Sequence, residues 1–179
     1  FRIHHRFGRL NSGAYELWGL DQANIHFSLE YGITDWLMVG IGRGTYEKTY
    51  DSFVKLSLLR QSSGARVMPV SVSFLSGQYL NSLKWEDETR DYRFAHRLEF
   101  VNQLLIARKF NQAFSLQIMP THLHRNLVPT ELDPNDLFAL GIGGRIKLTS
   151  RISFNAEYYY TFRPENILAR PTSRTRTTP

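Results

Sequence analysis

Apolar and polar residues alternate with a period of two along most of the chain. The segment 23–31 shows this most completely, because its odd positions are Ala23, Ile25, Phe27, Leu29 and Tyr31 and its even positions are polar. A helix of 3.6 residues per turn would mix the two sets, so the pattern predicts β-strands. The predicted strands are 1–8, 23–31, 36–43, 51–60, 67–76, 92–108, 113–125, 136–148 and 151–162.

Short and long connections alternate between these strands. The short turns are 32–35, 61–66, 109–112 and 149–150, and the long loops are 9–22, 44–50, 77–91 and 126–135. In an up-and-down sheet all the short turns then fall at one end and all the long loops at the other. Outer-membrane barrels have this asymmetry, with short periplasmic turns and long external loops. The sequence therefore predicts an all-β fold, an antiparallel up-and-down transmembrane β-barrel in the bacterial outer membrane.

A soluble barrel such as a lipocalin would show the same alternation, with its apolar face inside. Two features favour lipid contact instead. The predicted strands 92–108 and 136–148 exceed the nine to eleven residues that a tilted spanning strand needs. Aromatic residues also cluster at strand ends, as they do in the interfacial girdles of membrane barrels. The expected girdle comprises Tyr31, Trp36 and Phe114 near the short turns and Tyr158, Tyr160 and Phe162 near the other end.

Nine predicted strands are an odd number, whereas bacterial single-chain barrels have an even number. An unclosed sheet would expose the backbone groups of its edges to lipid, which is unfavourable. We therefore expect ten or more strands in the complete protein, with residues 1–163 forming the visible part of the barrel domain. The segment 164–179 is basic, rich in Ser, Thr and Pro, and without apolar periodicity, so we expect it to be coil.

Composition removes several classes of function. The mean hydropathy is −0.34, and no run of eighteen apolar residues is present to form a transmembrane helix. Alternating strands escape that test because their two faces average to near neutrality. The chain has no cysteine, which excludes disulfides and thiolate ligands. Its net charge of +6 is spread along the strands, which argues against a nucleic-acid partner.

The face opposite the apolar one is charged and would line the lumen of a barrel. Buried charges pair or stay hydrated, and antiparallel pairing predicts that Arg2 lies near Glu30 and that Arg145 lies diagonal to Glu157. A structural ion-pair network is the favoured interpretation, and a path for anionic solutes is the alternative. The predicted network comprises Arg2, Arg6, Glu30, Lys55, Arg93, Arg97, Glu99, Arg145, Lys147 and Glu157.

Histidines are the only candidate catalytic or metal-binding residues. With a turn centred near Phe110, His96 would lie opposite His124, with His122 one outward-facing step away. A facing histidine pair could bind a transition metal, but polar residues at headgroup level are the simpler interpretation. A lipid hydrolase or acyltransferase would need a nucleophile beside a base, and the strand serines fall on the opposite face. We therefore predict no metal, no cofactor and no catalytic residue.

Two smaller features also point to a barrel. Gly40, Gly42 and Gly44 alternate along a strand and into its loop, which favours close approach of lumen side chains or a bend. Trp85 lies in the long loop 77–91, where we expect it either to anchor the loop over the barrel or to contact a partner.

Nine short stretches are characteristic as a set: FRIHHRFG (1–8), GLDQA (19–23), YGITD (31–35), VGIGR (39–43), KTYD (48–51), NSLKWED (81–87), QLLIARKF (103–110), HRNLVPT (124–130) and NAEYYYTF (155–162). Together they resemble a family of β-barrel proteins of unknown function from Bacteroidota, a Gram-negative group. The resemblance implies an outer-membrane location, an upstream signal peptide and further strands after Phe162. It implies no activity and supplies no catalytic residues, and the basic tail after Pro164 departs from it.

The sequence thus favours a non-enzymatic outer-membrane barrel that acts as an accessory or structural subunit. Its expected contacts are outer-membrane lipid, lipopolysaccharide and other outer-membrane proteins that meet the external loops, including Trp85. A small-solute or anion pore is the first alternative. A lipid-modifying enzyme is the second.

Overall fold

The computed structural model describes residues 1–65, 67–85, 92–128, 130 and 133–162. In these residues nine antiparallel strands form one sheet whose spatial order follows the chain. The strands are β1 (Arg2–Phe7), β2 (Ala23–Gly32), β3 (Leu37–Gly44), β4 (Tyr50–Leu59), β5 (Ser71–Leu80), β6 (Leu98–Lys109), β7 (Phe114–Arg125), β8 (Asp136–Lys147) and β9 (Ser153–Phe162). The tail 164–179 lies outside the described residues.

Short 3-10 turns occupy parts of the long loops, at Leu10–Ser12, Ala14–Gly19, Tyr46–Lys48 and Phe94–Arg97. Within the described ranges, no helix has the length and apolar character that crossing a membrane requires.

The all-β, up-and-down prediction is confirmed, and seven strands lie within two residues of their predicted bounds. The prediction for the fifth strand, 67–76, was wrong by four residues, because Met68 instead pairs with Ser62 in an isolated bridge that closes the turn. The sixth strand begins at Leu98 and not at residue 92. The residues before it form a 3-10 turn in which the Arg93 amide donates to His96 Nδ1 at 3.2 Å.

Successive cross-strand partners show that the strands are tilted. One ladder leads from Tyr31 to Phe162 through Val39, Val54, Ser76, Asn102, His122 and Phe138. Tyr31 lies at the short-turn end of β2, whereas Phe162 is the last residue of β9 at the long-loop end. The register therefore slides by about one residue per strand, which corresponds to a tilt of roughly 40°, as in β-barrels.

The sheet curls into a half-barrel, and its two faces differ in burial. The buried strand residues all belong to the polar face, which is therefore concave: Ser28, Gly40, Gly77, Met119 and Gly141. Ser28 is 5% exposed, whereas its neighbour Leu29 on the apolar face is 56% exposed. Met119 is the single large apolar side chain that is buried in the described residues. The apolar face is thus convex and exposed, which is the reverse of a soluble barrel.

Side chains from non-adjacent strands meet over the concave face. The Tyr159 hydroxyl on β9 donates to Met119 Sδ on β7 at 3.3 Å and accepts from Gln103 Nε2 on β6 at 3.3 Å. The Tyr159 ring lies against Gly141, where an added Cβ would stand 2.5 Å from the ring. A glycine at this position lets the tyrosine lie flat over β8 and reach the middle of the sheet.

Candidate functional site

The concave face carries the ion pair that the sequence predicts at its first hairpin. Arg2 is paired with Ser28 across β1 and β2, one step from Glu30 on the same face. The Arg2 guanidinium lies 3.3 Å from a Glu30 carboxylate oxygen, and the Glu30 side chain is mostly buried. The predicted Arg2–Glu30 contact is therefore confirmed.

A second polar contact on the concave face was not predicted. His26 Nε2 on β2 lies 2.6 Å from Asp51 Oδ1 on β4, although β3 runs between these strands. The two side chains meet over Gly42, where a Cβ would stand 2.7 Å from both of them. Gly40 similarly leaves room for the Phe53 ring. The prediction that these glycines admit lumen side chains is confirmed for Gly40 and Gly42.

Part of the predicted ion-pair network was wrong. Arg93 and Arg97 do not belong to a strand, since they precede β6 in and next to its 3-10 turn. Glu99, in contrast, does form an ion pair, with Arg125 at 3.6 Å, because the register sets these two residues directly opposite each other. Arg125 lacked a predicted role because single-strand alternation says nothing about which residues face each other.

The remaining predicted charges lie on the concave face without ion pairs to described residues. Glu157 is opposite Gly143 and Arg145 is opposite Asn155, so the two charges are diagonal neighbours as predicted. Lys55 on β4 is opposite Leu75 and Arg6 on β1 is opposite Asn24. An open groove of about 500 Å³ runs along the concave face of β6 to β9. It is lined in part by Ser115, Gln117, Arg145, Asn155 and Glu157.

The predicted histidine cluster has a different composition. The structure pairs His124 with Phe100, so the prediction that His96 lies opposite His124 was wrong by four residues. Asp136 takes its place, because Asp136 Oδ1 lies 2.8 Å from both His122 Nε2 and His124 Nδ1. All three side chains are on the convex face at the long-loop end. Among the described residues, no group of three or more His, Asp or Glu side chains is arranged to hold a metal ion.

The described residues contain no serine–histidine pair within hydrogen-bonding distance. Ser28 is the buried serine of the concave face, and its hydroxyl donates to Glu30 Oε1 at 3.4 Å rather than to His26. His26 is held by Asp51. A hydrolase would need a nucleophile and a base in direct contact.

The convex face is apolar along most strands and carries arginines at its two ends. Arg43 ends β3 at the long-loop side and lies over the Tyr50 ring, 5.1 Å from its centroid. Arg108 ends β6 at the short-turn side and lies over the Phe110 ring at the same distance. Arginine on an aromatic ring suits a membrane interface, where the stem is buried and the charge stays wet. These two pairs therefore bracket the apolar band.

A lipid-facing surface of this kind agrees with the comparison to known families. The family model described as a membrane bound beta barrel domain matches residues 1–176. The chain belongs to this family, DUF5777. No curated protein and no solved structure matches it. The apolar convex face of this DUF5777 barrel is therefore its membrane surface.

The predicted girdle residues of the DUF5777 barrel are on that membrane surface or at its edge. Tyr31 and Phe114 lie at the short-turn ends of β2 and β7, and Trp36 lies in the turn before β3. Tyr158, Tyr160 and Phe162 follow the second half of β9 toward the long-loop end. Tyr31 and Tyr158 are about 70% exposed, at 72% and 69%.

One polar strip interrupts the membrane surface of the DUF5777 barrel. Ser76 Oγ on β5 donates to Asn102 Oδ1 on β6 at 2.9 Å. Both residues are near the middle of their strands, and Gln78 follows Ser76 on the same face. His122 is the next cross-strand partner of Asn102. We refer to Ser76, Gln78, Asn102 and His122 as the convex polar strip.

The long loop after β5 is held together around Trp85. The Trp85 and Tyr92 rings stack with centroids 3.8 Å apart, and the Arg97 guanidinium lies 4.3 Å from the Trp85 ring. Arg97 Nη1 also donates to the carbonyls of Asn81 and Leu83, at 2.9 and 2.5 Å. Trp85 is thus anchored on its own loop by the residue that precedes β6.

Proposed function

We propose that this membrane bound β-barrel is a non-enzymatic accessory or structural subunit of an outer-membrane assembly. The observation that carries the proposal is the convex polar strip. Lipid tails offer no hydrogen-bond partners, so polar side chains in the hydrocarbon region are unfavourable unless another group satisfies them. A second protein that packs against β5–β7 would supply such groups.

Two amide groups of the convex polar strip, those of Asn102 and Gln78, have hydrogen-bond donors without acceptors among the described residues. The Ser76 hydroxyl donates to Asn102 Oδ1, but the Asn102 Nδ2 group has no acceptor among the described residues. The Gln78 side chain likewise has no partner there, and Gln78 is exposed. Unsatisfied amide groups on an otherwise apolar membrane surface are typical of helix–helix or barrel–partner contacts, where the partner completes the bonds.

The loop asymmetry supports an outer-membrane orientation. Short turns join β2 to β3, β6 to β7 and β8 to β9, whereas long segments join β1 to β2, β5 to β6 and β7 to β8. The strict alternation predicted from the sequence was wrong at the two remaining connections, because only residues 45–49 join β3 to β4 whereas residues 60–70 join β4 to β5. In this orientation the short turns are periplasmic and the loop with Trp85 is external. Lipopolysaccharide and neighbouring outer-membrane proteins are the proposed contacts at the external rim.

Photocrosslinking in native membranes tests the subunit role. A photoreactive amino acid is placed at Asn102, and the matched control carries it at Ile142, which also lies on the convex face but among apolar neighbours. We expect a discrete protein adduct from position 102 and none from position 142. Equal adduct patterns at the two positions, or no protein adduct at either, would contradict the subunit role.

A pore is the second candidate, because several cations on the concave face lack acidic partners among the described residues. Lys55, Arg145 and Lys147 form no ion pair with described residues, and such residues favour anions in a water-filled path. Planar-bilayer recordings should then give anion-selective conductance that the Arg145→Glu variant reduces. A complete protein that never conducts removes this candidate and leaves the subunit role standing.

A further inference from the structure

A groove of about 560 Å³ opens on the convex face of β1 to β4 and reaches the long-loop end at Arg43 and Tyr50. We call it the convex groove. Its walls are almost entirely apolar, apart from one guanidinium at the rim. The side chains that line it on this face are Phe1, Phe27, Leu29, Ile41, Arg43 and Tyr50.

Strand register builds the groove from two adjacent cross-strand ladders. Phe27, Arg43 and Tyr50 are successive partners across β2, β3 and β4, and Leu29 and Ile41 are partners in the ladder below. Phe1 stacks on Phe27 with ring centroids 6.3 Å apart. The aromatic rings of Phe1, Phe27 and Tyr50 are larger than the aliphatic side chains of Leu29 and Ile41 beside them, and this difference in size leaves a trough. Ile41 remains 61% exposed within it.

Arg43 is the charged group of the groove, and no acidic side chain neutralises it. It forms no ion pair with any carboxylate of the described residues and is held only over the Tyr50 ring. Asp51 follows Tyr50 in the sequence, but its side chain points to the concave face and contacts His26. A guanidinium in this position has free donors in a fork that matches a phosphate.

We propose that the convex groove binds an acyl chain of a phosphorylated glycolipid of the lipid A type, with its phosphate on Arg43. Arg43 lies at the long-loop end, so the choice of lipid A rests on the proposed external orientation of that end. The apolar trough takes the chain and the guanidinium takes the anionic headgroup. This site is on β1–β4, away from the convex polar strip on β5–β7, and does not depend on a protein partner.

Native mass spectrometry of the full-length protein in detergent tests the site. Lipid A, phosphatidylglycerol and phosphatidylethanolamine are added separately at equal concentration. The wild-type protein should retain lipid A, and Arg43→Gln should lower the retained fraction roughly tenfold, as expected for loss of a charge-assisted contact. Arg108→Gln is the matched control, because Arg108 also covers an aromatic ring at a membrane end but borders no such groove. It should bind lipid A as the wild type does.

A second variant tests the apolar part. Leu29→Trp fills the trough and should lower lipid A retention while Arg43 is intact. Heat-dependent migration in gels confirms that each variant is folded. The proposal is overturned if Arg43→Gln retains lipid A like the wild type, or if Arg108→Gln loses as much. If the wild-type protein retains phosphatidylglycerol as well as lipid A, the lipid A assignment is overturned. If it retains phosphatidylethanolamine as well as lipid A, recognition of an anionic headgroup by Arg43 is overturned.

Discussion

Ser76 donates a 2.9 Å hydrogen bond to Asn102 on the convex face, which is apolar along most strands. The pair lies near the middle of β5 and β6, which is the level where a barrel meets the lipid tails. Polar groups at that depth are unfavourable against lipid. Their position on the membrane surface is therefore the observation on which the proposed subunit role rests.

Replacing the pair by apolar residues separates partner binding from folding. The Ser76→Ala, Asn102→Leu double variant removes both partners of this hydrogen bond together, so neither is left without the other. We expect the barrel to unfold at the same urea concentration or to gain up to about 1 kcal/mol. Recovery of the photocrosslinked or co-purified partner should fall.

The control for that variant is Leu104→Met, the next outward-facing position of β6, which leaves the convex polar strip intact. Partner recovery that survives the double variant unchanged would contradict the proposed contact surface.

Gly42 should be intolerant of any side chain. A Cβ at this position would stand 2.7 Å from Asp51 Oδ2 and from His26 Nε2. Gly42→Ala should therefore displace the ion pair and destabilise the barrel by about 1–3 kcal/mol. Gly143→Ala is the control on the same face, because its nearest atom is the flexible end of Met119 at 3.4 Å. Urea unfolding in lipid vesicles compares them, and equal midpoints would speak against the packing described here.

Tyr159 should contribute to stability through its hydroxyl. That hydroxyl links β9 to Met119 on β7 and to Gln103 on β6. Tyr159→Phe removes both contacts and should lower the free energy of unfolding by about 0.5–1.5 kcal/mol. Tyr158→Phe is the control, because Tyr158, the residue before Tyr159, faces the other side of the sheet and is 69% exposed. A larger effect from Tyr158 than from Tyr159 would reverse the assignment of the faces.

The strands were predictable because each carries its own signal. Alternation is complete along 23–31 and clear along 114–118, so β2 and β7 lie where the pattern placed them. The pattern was misleading next to β5 and β6. Met68 and Phe94 continue the alternation, but Met68 closes a turn and Phe94 begins a 3-10 turn that the His96 side chain stabilises.

The candidate site was less predictable because it depends on register. Nothing in β2 or β4 alone indicates that His26 reaches Asp51 across a third strand, since the contact requires Gly42 between them. A shift of four residues in the β6–β7 register removed His96 from the histidine cluster, and the β7–β8 register, which sets Asp136 opposite His124, supplied Asp136. The Arg2–Glu30 pair was predictable because the two residues have opposite charges and belong to consecutive strands that pair directly.

Loop orientation can be measured directly, because the chain has no native cysteine. The Lys84→Cys variant places a thiol in the long loop after β5, and Ser150→Cys places one in the short turn before β9. On intact cells a membrane-impermeant maleimide should label the variant at position 84 and spare the one at 150 until the outer membrane is opened. The opposite labelling would place the long loops in the periplasm.

We expect the convex apolar face to meet lipid and the concave polar face to meet water. Spin labels on single cysteines along β8 distinguish the two environments, at Leu140 and Ile142 on the convex face and at Ala139 and Gly143 on the concave face. In lipid vesicles, positions 140 and 142 should be accessible to oxygen, and positions 139 and 143 to a water-soluble nickel chelate. The inverse pattern, with the nickel chelate reaching 140 and 142, would contradict this assignment of the two faces.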